Sequence, residues 1–361
     1  MSVLISDAVA YGSANMPEAD GVTVGGAVDF TKKIDLSDIN PSGTLDVVSS
    51  SGSDTATLCK YGVRDPTGAE QVVTVNLTGT TPAIGTQSAQ RILYGLLSGA
   101  TANGPTTAPT GTAAVGDVAL FAHTRVLSTR TAQAGANPTS SVPATIQLQA
   151  GDGAAVQIGH IIRILNNTPA GVQNQLRRII ATTGFGTDTV AVSRAWGTVP
   201  ASGTTYEILQ GILFDILPNP VTCVTRLFAR SYAAVAGGAT TLFYEKIFFV
   251  NNNTGISLTQ AQLQVASESP TLPSGDLIDA ALCNALNDGG SVTNRQTAPA
   301  TGIGPFITQP ALINVPAPGN LPSGAAPNSA GAQGMWLRLT LPAGSAAWFG
   351  SISLAASGVT T

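Results

Sequence analysis

The chain has 361 residues, enough for two or three domains with sizeable cores. Charged residues make up only 10% of it, against roughly 25% in ordinary soluble proteins, and the formal net charge is −4. This balance argues against a broad basic field for a nucleic-acid backbone, and no apolar run of about 18 residues suggests a membrane-spanning helix.

Glycine (40 residues) and proline (22) are abundant, and Ser, Thr and Ala fill much of the rest. Long charged helix formers are scarce. Short Val/Ile/Thr runs separated by turn residues predict an all-β chain. We expect several small β-sandwich or barrel-like domains in series, with an extended N-terminal arm and long Gly/Pro-rich loops. A surface poor in charge suits packing against other subunits.

Residues 1–27 read as the arm; they lack the basic start and long apolar core of a signal peptide. Residues 28–115 form the first unit. "TLDVVSS" (44–50), "TATLCKYGVRD" (55–65) and "EQVVTVNLTG" (70–79) alternate apolar and polar residues, and Asp65-Pro66-Thr67-Gly68 supplies a turn. "SAQRILYGLLSG" (88–99) fits a short helix or a strand, and 100–115 reads as a linker.

The second unit spans 116–210, with short alternating runs from "VALFAHTRVLS" (118–128) to "TTYEIL" (204–209). It gathers three of the few cations, Arg177, Arg178 and Arg194, around one strand–turn–strand stretch. The third unit is 211–361. "LFYEKIFFVNNNT" (242–254) is its clearest strand, "GDLIDAALCNALNDGG" (275–290) fits helix or strand, and "GMWLRLTLPAGSAAWFGSISLAASG" (334–358) reads as a hairpin-like pair. The Pro/Gly-rich 299–333 segment is a long loop that a neighbour is expected to order.

Few residues suggest chemistry. His123 and His160, the only histidines, have no ligand at metal spacing and read as structural or surface residues. Cys59, Cys223 and Cys283 are far apart and read as free thiols. No GxSxG or phosphate loop occurs. The acids Asp46, Asp54, Glu70, Asp117, Glu207, Glu245 and Glu268 are scattered, and their pairing is open. Trp196, Trp336 and Trp348 lie in alternating apolar patterns that favour core packing over a glycan groove. We therefore expect no catalytic residue, no metal site and no cofactor. The arginines read as polar pins on a strand edge or at a subunit contact.

The stretch "GHIIRILNNTPAGVQNQLRRIIATTGFGTDTVAVSRAWGTVPASGTTYEI" (159–208) resembles a small β-module of tailed-bacteriophage virion proteins. The signals are "IRIL" (162–165), "RRI" (177–179), "TVAVSRAWGTVP" (189–200) and "TYEI" (205–208), with Ala195 where that pattern favours Pro. "GVRDPTGAEQVVTVNLTGTTP" (62–82) is similar to another phage β-domain phrase. "YEKIFFVNNNTGISLTQAQLQVASES" (244–269), "NRQTAP" (294–299) and "GMWLRLTLPAGSAA" (334–347) resemble a C-terminal β-sandwich of head, neck and tail components.

The resemblance implies a non-enzymatic virion protein, made in the bacterial host cytoplasm. It points to a neck, collar or tail-associated part that assembles with copies of itself and with portal, capsid or tail proteins, without direct nucleic acid or membrane contact. A capsid-decorating protein and a receptor-binding or adhesion module of the tail are the alternatives.

Overall fold

The computed structural model describes residues 7–34, 39, 42–100, 104–139, 142–166, 168–216, 220–324, 328, 331–348 and 350–360. The first strands are β1 (Ala8–Asn15), β2 (Val24–Lys33), β3 (Gly43–Ser49), β4 (Leu58–Arg64), β5 (Glu70–Asn76), β6 (Ala83–Ala89) and β7 (Arg91–Leu97). Next come β8 (Val118–Ala122), β9 (Leu127–Thr131), β10 (Ala134–Ala136), β11 (Thr145–Gln147), β12 (Ile161–Ile164), β13 (Leu176–Ala181), β14 (Thr189–Val192), β15 (Thr205–Leu209) and β16 (Gly211–Phe214). The chain continues through β17 (Cys223–Thr225), β18 (Thr241–Asn251), β19 (Leu258–Ser269), β20 (Leu277–Leu286) and β21 (Ser291–Val292). It ends with β22 (Ile307–Thr308), β23 (Ile313–Asn314), β24 (Gln333–Leu341) and β25 (Ser351–Thr360). One 3-10 turn, Asp152–Ala155, is the only helical element among the described residues.

The protein is all-β, as its composition predicts. Its strands form sheets of eleven, seven, four and three, none closed into a barrel. The eleven-stranded sheet runs β22-β20-β24-β18-β1-β2-β17-β7-β4-β5, with β21 added on β2. The four-stranded sheet, β16-β8-β3-β6, packs on its β7-β4-β5 end. The three-stranded sheet, β23-β19-β25, packs on its β20-β24-β18 end.

Two stretches whose pattern fitted helix or strand are strands, for physical reasons. In β20, Ile278 and Leu282 lie four apart, a spacing that returns to the same face in a strand as well as a helix. Both enter the core between the two C-terminal sheets, with Ala280 between them. In β7 the mixed spacing comes from a bulge. Opposite Gly62 and Val63 of β4 stand Tyr94 and Ile92, so Leu93 is one residue extra. Ile92 and Leu97 therefore join one core, while Leu93 and Leu96 join another.

Residues 8–15, within the expected arm, are extended but not free. β1 is paired with β18 on one edge and β2 on the other, inside the large sheet. The described residues of the 299–333 loop are held by this same chain: Val315 N–H donates to Ala261 O at 2.8 Å, and Leu321 exchanges backbone hydrogen bonds with Leu258. The middle unit is an insertion. β8 and β16 flank it and pair with each other, so its own sheet, β10-β11-β14-β13-β12-β15-β9, covers only 127–209.

Trp196 anchors the core of that inserted unit. It is 2% exposed and packs among Ile146, Ile179 and Val192, and its indole N–H donates to Thr145 O at 3.0 Å. Trp196→Ala is expected to lower unfolding free energy by about 3–5 kcal/mol in chemical denaturation. A near-neutral result would place the ring outside the core.

Candidate functional site

The register of β8 against β16 ends at Val118 opposite Phe214. The next pair in that register is Asp117 opposite Asp215, and both side chains are buried. Two like charges facing each other across a strand pair are destabilising unless cations intervene. Here three cations intervene, two from the inserted unit and one from the large sheet.

Lys33, at the end of β2, donates to Asp215 Oδ2 at 2.7 Å. Arg194, just after β14, is in contact with Asp117 Oδ2. Arg177, on β13, has its Nη1 3.5 Å from the same oxygen. Asp117 Oδ1 accepts the Ile216 N–H at 3.0 Å, which ties the end of β16 to the start of β8. Burial would raise the Asp215 carboxyl, but Lys33, then Arg194 and Arg177, hold it below the ordinary aspartate range. Burial weakens the protonated forms of Arg177, Arg178 and Arg194, and Asp215 opposes that effect. The guanidinium groups remain charged at neutral pH.

This arrangement corrects the expected role of the arginines. β13 is the central strand of the seven-stranded sheet, not an edge. Arg177 also donates to Ala195 O from Nε (3.1 Å) and Nη2 (2.8 Å), and its guanidinium lies over the Trp196 ring at 5.3 Å. The "RAW" turn is thus bound to β13 by one side chain. Beside the charges, Val48, Ala119 and Phe121 meet Ile161, Leu176 and Leu209, joining the inserted unit to the four-stranded sheet. The arginines are internal pins at that junction. Sequence reading missed Asp117 and Asp215 as their partners. The signal available was an aspartate immediately before β8 and another immediately after β16.

Two further ionic centres use the scattered acids. Asp46 accepts His123 Nδ1 at 3.0 Å and Arg125 Nη1 at 3.0 Å. Arg125 Nε reaches Glu207 at 3.0 Å, and Arg163 Nη1 reaches the other Glu207 oxygen at 2.9 Å. His123 is 54% exposed at its side chain and so sits at the rim of this chain of charges. In the second centre, Arg295 is fully buried. Its Nη2 lies 3.2 Å from Glu245 and its Nη1 3.4 Å from Glu18, with Asp20 at 3.5 Å. Burial raises both glutamates, that of Glu245 to about 8, although Arg295 opposes the shift. Both carboxylates thus share the one buried guanidinium of Arg295.

His160 is buried; burial lowers its pKa, and its Nδ1 accepts the Gln157 N–H at 3.2 Å. All three cysteines are buried free thiols, raised by burial, with Cys223 and Cys283 pushed up to about 12. Trp336 is 1% exposed and packs over Lys246. The Lys246 ammonium donates to Asp288 Oδ1 (2.6 Å) and to the carbonyls of Gly26 (3.1 Å) and Gly290 (3.1 Å). Gly25 must lack a side chain there, because a Cβ would sit 2.7 Å from the indole. Trp348 is half-buried and donates to Pro270 O at 3.0 Å. It lines a cavity of about 500 Å³ between the C-terminal sheets, with Leu339, Leu341, Ile352 and Leu354 among its apolar walls. Among the described residues no group of three or more metal-ligating side chains occurs.

No family model, curated protein or solved structure matches the chain.

Asp117→Ala leaves Arg177 and Arg194 facing Asp215 alone and removes the tie to Ile216. It is expected to cost about 3–5 kcal/mol in urea unfolding. Asp117→Asn should cost less, since an amide oxygen still accepts the Ile216 N–H. Equal losses would show that the tie to Ile216 contributes nothing, and a neutral Asp117→Asn would show that the charge contributes nothing.

The pH dependence has two opposite arms. Asp215 has a folded pKa below its unfolded value. Its contribution is present above the ordinary value of about 3.9 and is lost as pH falls through the folded value. Glu245 has a raised folded pKa, so its contribution is present in acid and is lost as pH rises from the ordinary value of about 4.3 to about 8. Thermal melting of the wild type should therefore weaken across that upper window, and Glu245→Gln should flatten the decline. An unchanged slope would remove Glu245 as its cause.

Proposed function

We propose that this chain is a non-enzymatic structural protein of a tailed-phage particle. It serves as a neck, collar or tail-associated part that works by assembly with copies of itself and with portal, capsid or tail proteins. One observation carries this reading. Key charged and aromatic residues of 159–208, the stretch that resembles virion β-modules, are engaged in scaffold. Arg177 and Arg194 face Asp117, and Trp196 fills the core. The module therefore holds shape and offers its neighbours a surface low in charge.

The same burial bears on the alternative of a receptor-binding module. Trp196 is unavailable for a glycan platform. Tyr232, which is 62% exposed, is the most open aromatic residue among those described, and Trp348, Phe30, Phe185, Phe228 and Phe306 are half-buried.

Quantitative mass spectrometry of purified particles tests the proposal. The expected result is a stoichiometric component present in a small fixed number per particle, in keeping with a ring or trimers at the portal. Many copies spread over capsomer junctions would instead mean capsid decoration. Absence from particles would overturn the structural reading. Saturable binding of the purified chain to host polysaccharide would favour the adhesion module.

A further inference from the structure

A strand that ends a sheet leaves one row of backbone N–H and C=O groups unpaired, and proteins ordinarily blunt such edges. Most edges here are blunted. β10, β22 and β23 have three, two and two residues. β16 has four. β5 begins at Glu70, which is ion-paired with Arg64 at 3.1 Å and Arg230 at 2.8 Å. β9 carries Arg130 and a bulge against β15. β6 is bulged too: from Ser88 to Ile84 it advances four residues while β3 advances two.

β25 differs from all of these. It has ten residues, "SISLAASGVT", with no charge and no proline. Among the described residues it pairs with β19 only. The β19–β25 ladder has two irregularities, and both extra residues are in β19. From Thr259 to Gln262 β19 advances three residues while β25 advances two, and from Val265 to Ser267 the advance is two against one. Gln260, with φ 49°, lies in the first of these bulges. The edge strand itself stays regular.

The sandwich is also incomplete beside this edge. Ile352, Leu354 and Ala356 face the core but are only half-buried. The cavity of about 500 Å³ is walled by Ser351, Ile352 and Leu354 of β25 and by Leu339 and Leu341 of the opposite sheet. Much of the rest of its wall comes from residues between 226 and 234 of this chain and from Arg64 and Arg91, so a strand added beside β25 would lie next to the half-buried Ile352, Leu354 and Ala356 rather than seal the cavity.

We propose that β25 is a self-complementary strand-addition edge, at which a second copy of this chain adds its own β25 antiparallel and joins two three-stranded sheets into one of six. This deepens the assembly reading and rests on it for the claim that copies meet. Directly opposed residues of an antiparallel pair lie on the same face of the sheet. Pairing centred on Ala355 therefore keeps Ile352, Leu354 and Ala356 of both copies on the core side, with Leu354 of each opposite Ala356 of the other and Ile352 opposite Gly358. It sets Ser353 of each copy opposite Ser357 of the other. Because β25 carries no charge, self-pairing brings no like charges together. The contact is isologous, so it closes as a dimer and leaves neither β25 edge open.

The test is sedimentation velocity on the full-length chain, with thermal melting as a check on folding. The wild type is expected to dimerise. Ser353→Lys with Ser357→Lys opposes like charges twice per dimer and should weaken it about tenfold or more. Ser353→Lys with Ser357→Glu opposes unlike charges and should keep the dimer. Both positions are exposed, so both variants should melt as the wild type does at concentrations where all are monomeric. Ala355→Cys should yield a disulfide-linked dimer on mild oxidation, and Ser202→Cys, in an exposed turn, should not.

A monomeric wild type overturns the proposal. So does an oligomer indifferent to the double lysine variant, and so does an Ala355→Cys chain that links only to a different protein in intact particles. An oligomer that ignores these changes leaves the assembly reading standing. A monomer that is also absent from particles ends both.

Discussion

The structure depends on the antiparallel pairing of β8 with β16. Gly211 makes it possible, because a Cβ there would lie 2.1 Å from the Leu120 carbonyl oxygen. The pairing closes the four-stranded sheet and returns the chain to its starting point after the inserted unit. It also brings Asp117 and Asp215 face to face in a buried place, an arrangement that is unstable without cations. Arg177, Arg194 and Lys33 supply them. Two of these come from the inserted unit and one from the large sheet, so a local electrostatic problem becomes a joint between three parts of the molecule.

The same solution recurs elsewhere. Arg125 links Asp46 of the four-stranded sheet to Glu207 of the inserted unit, and Arg295 gathers Glu18 and Glu245 from strands or turns far apart in sequence. Lys246 holds the 288–290 turn to β2 from between two aromatic rings. Such buried ions are costly to strip of water, and each is matched by carboxylates or carbonyls. A chain with few charges uses them largely inside, at joints. That leaves Ser, Thr, Ala and Gly for much of the outside.

Much of the strand pattern was legible in the sequence, because alternation is local. It identified the strands of 44–79, the 242–254 strand and the strands around Trp196, but not that β3 leaves its chain neighbours for the four-stranded sheet while β4 and β5 pair in the large one. It failed where period two was hidden. β20 has leucine and isoleucine four apart, a spacing shared by both periods, and β7 has a bulge at Leu93 that switches faces midway. The arginine group was visible as an oddity of composition, but its partners were not. Asp117 lies 60 or more positions from Arg177 and Arg194 along the chain, and no local rule joins them.

The sequence by itself determined that the protein is all-β, that its tryptophans at 196 and 336 belong to cores, and that neither histidine nor any cysteine stands in a recognisable catalytic motif. These follow from composition and from side-chain periodicity, which a strand expresses without help from the rest of the chain. Only the tertiary structure decided that β1 is an inner strand, that the middle unit is inserted between two paired strands, and that Arg177 lies at a buried joint. These depend on hydrogen bonds between segments distant in sequence. Their register sets which charges meet, and neither partner carries a local mark of the other.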